Sequence, residues 1–410
     1  MASNRADLIT PSRIITSLAG SSNYAIETVY PLILRNDEIV TVEFFSNQPN
    51  ISDWIGAYSP ADTDITASAP IKFGMCDQAL NTSNAERQYL LTGRASLQFN
   101  LTNLRSDVGF YYFTGGLQTP ILVASTSNSQ TVQFADENQP LRNRIVPSGD
   151  PNVFYLIWNS DTSEVPMIKW GTQSGEYLYS AIASTMRIEK SDVCGGVAAG
   201  VGWRDMGLMH RVNITGITTL NLSSRKLYYI FGDNQTNQFS SEWVFQVPPQ
   251  AGTQPYDGNT LLTPLLHLQL SKKTIRSIDT ISTTTITNTI VNNLATDYTY
   301  PPRGTQVILM ADLGVGASDD STDTKVFSEA CLPAYNTTNS IGHRVLQGDV
   351  DAVILSGDLS YANGYLSNWE FFLDSLSPIT GKMWMFLQFH HNVIGLSSCQ
   401  LAPHYDNRCD

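Results

Sequence analysis

The sequence predicts two β-sandwiches followed by a partial α/β domain. Three observations carry this reading. Apolar residues alternate between turn clusters as far as about residue 250, continuous apolar runs replace that alternation after Gly304, and stripes at helical spacing separate the later runs. The 410 residues suffice for two or three domains. A charged content of only 15%, in a chain rich in Ser, Thr and Asn, suits sandwiches with polar outer faces better than helical bundles.

The first unit, 1–140, reads as strands between turns. Val40, Val42 and Phe44 share one face, as do Leu97, Phe99 and Leu101. The clusters Ser46–Asn50 and Thr114–Gly116 divide the runs. The pattern restarts over 141–248, where Val153–Trp158 and Pro166–Gly171 open the unit and Leu227–Phe231 and Trp243–Val247 close it. Short strands at this spacing suggest a sandwich of the fibronectin type III kind. Residues 249–302, with the Thr-rich run Ile281–Thr287, read as an insertion or linker.

Over 303–410 the period changes. Val307–Met310 and Ala352–Leu355 are continuous apolar runs, which predict strands buried on both faces. Between them Ile341, Val345 and Leu346 stand at helical spacing behind the candidate caps Thr338 and Asn339. Trp369, Phe372, Leu373 and Leu376 form a second helical stripe. The order β-α-β-α implies a parallel sheet with its functional groups at the carboxyl ends of the strands.

A net charge of −13 sets aside charge-driven binding to nucleic acid or anionic membrane. No apolar stretch approaches the ~18 residues of a membrane span. Sequons begin at Asn50, Asn81, Asn100, Asn213, Asn221, Asn234 and Asn336 and point to the secretory pathway. Met1–Ser17 carries no apolar signal core, so a secreted product requires a leader that these residues do not supply. Cys76, Cys194, Cys331, Cys399 and Cys409 are too sparse for a disulfide framework and too scattered for a zinc knuckle. Their odd number leaves at least one thiol free or paired with another chain.

The chemistry gathers at the two strand ends. The first run leads into Asp312-Leu313-Gly314 and the second into Gly357-Asp358-Leu359-Ser360-Tyr361. Two carboxylates converging from neighbouring strands repel, and a cation between them relieves the repulsion. Tyr361 stands three residues after Asp358 and reaches the same point as a phenolate, which favours a hard, highly charged ion such as Fe(III). A lone Asp-x-Gly is usually only a turn, and it is the pairing with Asp358 and Tyr361 that raises it to a metal site. Asn363 and Tyr365 read as loop-shaping residues. His210 reads as sandwich structure or a domain contact, and His404, Asp406, Cys399 and Cys409 as irregular tail.

Asp-x-Gly followed by Gly-Asp-x-x-Tyr after a second strand resembles the opening motifs of purple acid phosphatases, within the metallophosphoesterases. Asp53–Pro60, Ala69–Lys72 and Gly115–Leu117 are similar to the N-terminal domain of the large plant-type members. So are Val201–Asp205 with His210, and the stretch from Asn336 to Trp369. The resemblance implies that Asp312 and Tyr361 bind iron and that Asp358 bridges it to a divalent Zn, Mn or Fe. It further implies acid phosphatase activity on small phosphate monoesters, in an extracellular or vacuolar protein that is glycosylated and can form homodimers.

The third family motif is replaced by Phe389-His390-His391-Asn392. His390 takes the place of an asparagine ligand there, and His391 that of the substrate-side catalytic histidine. The chain reaches Asp410 without the last two histidine motifs, so a shifted reading frame or missed exon after about Met385 is expected, with impaired catalysis. The competing reading is a non-catalytic secreted sandwich protein carrying a phosphatase remnant.

Overall fold

The computed structural model describes residues 9–16, 22–78, 85–220, 225–248, 284–285, 306–316, 319, 321, 331–348 and 350–388. The architecture is β plus α/β. The first sandwich comprises β1 (Tyr24–Tyr30), β2 (Ile33–Leu34), β3 (Glu38–Ser46), β4 (Trp54–Tyr58), β5 (Lys72–Met75), β6 (Arg94–Leu101), β7 (Gly109–Thr114), β8 (Ile121–Ser125) and β9 (Gln133–Phe134), with helix α1 (Ala85–Thr92) between β5 and β6. One sheet runs β1-β3-β6 and the other β5-β4-β7-β8, while β2 and β9 pair alongside. The alternation predicted for β3 and β6 is realised, since Val40, Val42, Phe44, Leu97, Phe99 and Leu101 are all buried. On β4, Trp54 stacks on Phe113 with ring centroids 4.1 Å apart.

The second sandwich comprises β10 (Leu141–Pro147), β11 (Val153–Ser160), β12 (Pro166–Gly171), β13 (Tyr179–Ile182), β14 (Ser184–Arg187), β15 (Leu208–Thr215), β16 (Lys226–Asp233), β17 (Gln238–Phe239) and β18 (Trp243–Gln246). Its sheets run β10-β11-β15-β14 and β13-β12-β16-β17, with β18 also on β16. His210 on β15 is buried against Trp158 at 5.0 Å and bonds Ser160 and Thr185, each at 2.8 Å. Burial pushes its pKa down to about 4 against the pull of Asp233, so it is a neutral core histidine, as the sequence suggested. Cys76 is the buried free thiol of the first sandwich, and Cys194 is disulfide-bonded.

The α/β part consists of β19 (Thr284–Thr285), β20 (Val307–Gly314), α2 (Cys331–Leu346), β21 (Ala352–Ser360), α3 (Leu366–Thr380) and β22 (Met385–Gln388). Its sheet runs β19-β20-β21-β22, parallel except for β19. Three expectations need correction. Val307–Met310 is not buried on both faces, because Ile308 is buried while Leu309 is 47% exposed. Thr338 and Asn339 do not cap a helix, because α2 begins at Cys331 and carries them in its interior. Thr284 and Thr285 of the supposed linker form the antiparallel edge strand, a role that β-branched threonines fit.

The units are fused rather than strung together. One contiguous apolar core joins the first sandwich to β20, α2, β21 and α3. A charged hub adds the second sandwich. Glu370 of α3, fully buried, lies 2.6 Å from Arg105, 3.5 Å from Arg142 and 3.1 Å from Arg204. Burial alone would raise the Glu370 carboxyl, but the three guanidiniums outweigh it and hold it below the usual range. Arg105 and Arg142 both adopt left-handed backbone angles, φ 65° and 59°, a conformation unfavourable for side chains of this size.

Candidate functional site

The parallel register of β20 and β21 builds the site. Partners run evenly from Val307↔Ala352 to Ala311↔Ser356, then shift, resuming at Leu313↔Leu359 and Gly314↔Ser360. Across the shift a single residue, Asp312, stands against two, Gly357 and Asp358. Such a bulge re-aims the strand where both carboxylate-bearing positions lie side by side.

The backbone beyond is unusual. Asp312, Ser360, Tyr361 and Asn363 have φ of 56°, 63°, 50° and 47°, and Gly364 has 90°. Asparagine and glycine tolerate this region, whereas serine and tyrosine enter it at a cost of about 1–2 kcal/mol each. Left-handed residues clustered at two adjacent strand ends mark a place where surrounding structure dictates the backbone. The amide of Tyr361 donates to the Leu359 carbonyl at 2.6 Å, closing a tight turn. The half-buried Tyr361 ring lies over Gly314, with Cδ2 3.5 Å from the point a Cβ would occupy there. The glycine of Asp-x-Gly thus faces the tyrosine of Gly-Asp-x-x-Tyr.

Neighbouring loops are packed as closely. A Cβ on Gly316 would lie 2.4 Å from the Tyr335 amide nitrogen, so α2 presses on the loop after β20. A Cβ on Gly202 would lie 2.4 Å from the Gly364 carbonyl, and the Leu366 amide donates to the Gly202 carbonyl at 3.0 Å. The sequence reading named Val201–Asp205 without placing it, and it proves to line the loop that follows Tyr361.

Of the predicted residues, Asp312 and Asp358 occupy neighbouring positions on β20 and β21, and Tyr361 directly follows β21. By type these donors suit one hard cation. His390 and His391 lie outside the described residues. Among the described residues no group of three or more His, Cys, Asp and Glu is arranged to hold a metal ion, so the described donors do not by themselves make a two-metal site. Of the sequons, Asn50, Asn213, Asn234 and Asn336 are exposed, whereas the half-buried Asn100 donates its side-chain nitrogen to Asp37 at 2.7 Å. Asn81 and Asn221 lie outside the described residues. No described helix is long and apolar enough to cross a membrane.

Comparison with known proteins bears on this geometry. Residues 28–136 match the family model of the "Fn3-like domain from Purple Acid Phosphatase". The chain thus carries a domain of the purple acid phosphatase kind. The matched domain is the first sandwich.

The chain is 28% identical over 369 residues to "Probable inactive purple acid phosphatase 1" of Arabidopsis thaliana, covering 85% of this chain and 49% of that protein. It is 27% identical over 372 residues to "Probable inactive purple acid phosphatase 27" of the same plant, covering 87% and 51%. It therefore spans about half the length of these relatives. The purple acid phosphatase isolated from yellow lupin (Lupinus luteus) seeds matches in structure with a TM-score of 0.66 and 26% identity, over 90% of this chain and 57% of that one.

Proposed function

We propose that the chain carries the Fe(III) half of a phosphate-monoester hydrolase site, held by Asp312, Asp358 and Tyr361, with catalysis impaired. The observation that carries this reading is the register shift that sets Asp312 beside Asp358, with the Tyr361 ring over Gly314. A bound hard cation would supply positive charge for phosphate oxygens and lower the pKa of a bound water. Asp312 and Asp358 supply the negative charge that holds such a cation. Tyr361 contributes a phenolate once its proton is lost. A divalent ion shared through Asp358, whether Zn, Mn or Fe, would complete a two-metal site together with donors beyond those described, His390 among them. By the resemblance, His391 would supply the acid for the leaving group. The setting we propose is extracellular or vacuolar, with a small phosphate monoester as substrate and neither nucleic acid nor membrane as partner.

Fe(III) titration followed by the visible phenolate-to-iron absorption tests the site. Wild type should develop the band, Tyr361→Phe should lack it, and Asp358→Asn should bind at least tenfold more weakly. A wild-type chain with no Tyr361-dependent band refutes the proposal. Acid-pH hydrolysis of an aryl phosphate, with Asp358→Asn as control, then measures how far catalysis is impaired. The second reading, a non-catalytic sandwich protein with a phosphatase remnant, is favoured by the absence of a larger donor cluster among the described residues and by the names of its relatives. Iron binding without turnover supports it.

A further inference from the structure

We infer that the sandwiches position the two candidate metal loops, with Lys72 and Gly202 as positioning residues. The inference rests on the metal reading of Asp312, Asp358 and Tyr361. It goes beyond that reading in giving the N-terminal half of the chain a task at the site.

The loop after β20 is tethered by the first sandwich. Lys72 of β5 reaches out with its Nζ 3.0 Å from Asp319 Oδ2, and both side chains are almost fully buried. The same Oδ2 accepts the backbone amide of Asn100 on β6. The other oxygen accepts the Ser321 amide and hydroxyl at 3.0 and 2.7 Å. Asp319 is seven residues beyond Asp312, so its carboxylate is anchored a short way past the end of β20. Lys72 also stands over the Phe371 ring at 5.3 Å, which places it between that loop and α3. A buried ion pair of this kind contributes little net stability, because desolvation offsets the attraction. It does fix geometry, since moving either partner leaves the other charge buried and alone.

The loop after β21 is tethered by the segment between β14 and β15, which is itself bonded to the first sandwich. Gly202 and Gly364 touch backbone to backbone, and a Cβ on Gly364 would lie 2.9 Å from both the Ala198 amide nitrogen and Val197 Cβ. The segment carrying Gly202 is pinned two residues later by Arg204. That guanidinium reaches Glu370 Oε2 at 3.1 Å, the Ser59 carbonyl at 3.0 Å and the Ser106 hydroxyl at 3.2 Å, and also bonds the Leu104 carbonyl. Glu370 lies one turn into the helix that the Tyr361–Tyr365 loop enters. Both ends of that loop's surroundings therefore depend on the sandwiches, and its left-handed residues Ser360, Tyr361, Asn363 and Gly364 need such external support.

Amide hydrogen exchange on the full chain tests this with two variants whose effects should not cross. Gly202→Ala inserts a methyl against the Gly364 carbonyl. It should speed exchange over 359–366 at least tenfold and leave 313–316 unchanged. Lys72→Met keeps the aliphatic stem and removes the charge. It should speed exchange over 313–316 by a similar factor and leave 359–366 unchanged, with Lys72→Arg restoring protection. The strands β11 and β15 serve as the internal control.

Both variants should also weaken Fe(III) binding at least tenfold. If Gly202→Ala fails to fold, Arg204→Lys tests the same loop and should loosen 359–366 alone. Unchanged exchange in both loops, or loosening of the whole chain together, overturns the inference. Absence of a Tyr361-dependent iron band in wild type overturns the metal reading instead, and the exchange pattern still decides whether the sandwiches hold these loops.

Discussion

His210 predicts an acid-sensitive second sandwich. Its imidazole is buried between Trp158, Ser160 and Thr185, and burial lowers its pKa to about 4 from an ordinary 6.5. The unfolded chain therefore accepts the proton more readily than the folded one. The contribution to stability is complete above pH 6.5 and is lost progressively as pH falls toward 4. At ~1.4 kcal/mol per tenfold change, the full loss is about 3 kcal/mol, and the loss at pH 5 about 2 kcal/mol. For a sandwich of this size that is on the order of 10 °C in melting temperature.

The assay is thermal unfolding at pH 7 and pH 5, followed by tryptophan fluorescence. Trp158 and Trp170 both lie in the core of this sandwich and report its transition. His210→Gln retains a donor and an acceptor but cannot be charged. It should lower stability at pH 7 by about 1–2 kcal/mol through poorer packing and hydrogen bonding, and it should flatten most of the difference between the two pH values. Equal pH sensitivity in wild type and variant would refute the reasoning, as would an NMR titration placing His210 near 6.5.

Other expectations follow from the same structure. Glu370→Gln leaves Arg105, Arg142 and Arg204 buried without their counter-charge and should cost about 3–5 kcal/mol in chemical denaturation, whereas an exposed-pair variant such as Arg187→Gln should change stability by under ~1 kcal/mol. Asp233 accepts from the Ser163 hydroxyl and from the amides of Glu164, Val165, Gln235 and Thr236, and these bonds outweigh the effect of burial and hold its carboxyl below the usual range. Its stabilisation is present above an ordinary carboxylate pKa and fades below it, so Asp233→Ala should cost about 1–3 kcal/mol at pH 7 and less at pH 2, read by urea melts. Expression through a eukaryotic secretory pathway, followed by peptide mapping, should find glycans at Asn50, Asn213, Asn234 or Asn336 and none at Asn100, whose amide nitrogen is engaged by Asp37.

What the sequence revealed, and what it hid, follows the range over which each signal acts. The α3 stripe was legible because Trp369, Phe372, Leu373 and Leu376 repeat at the helical period within one element. The two strand-end motifs were legible because a carboxylate just past an apolar run is a local pattern. The start of α2 was hidden, since Asn336, Thr337, Thr338 and Asn339 are weak helix formers that tertiary packing carries along. The edge strand at Thr284–Thr285 left only threonine's β preference as a clue. The hub left no clue at all. Arg105, Arg142 and Arg204 stand far apart in the chain, each looks like an ordinary surface cation, and only the fold brings them to one carboxylate.

That arrangement has a consequence for biosynthesis. All three arginines precede Glu370, and the last of them precedes it by 166 residues. At roughly 5–20 residues per second, a ribosome needs on the order of ten to thirty seconds to deliver the carboxylate after Arg204 has emerged. During that interval Arg105, Arg142 and Arg204 lack the carboxylate that neutralises them in the finished fold, and their mutual repulsion would oppose premature docking of the sandwiches. Arrival of α3 removes the repulsion and adds apolar contacts in the same event. The order of the hub's residues along the chain would thereby hold the nascent protein open until the segment that closes it exists.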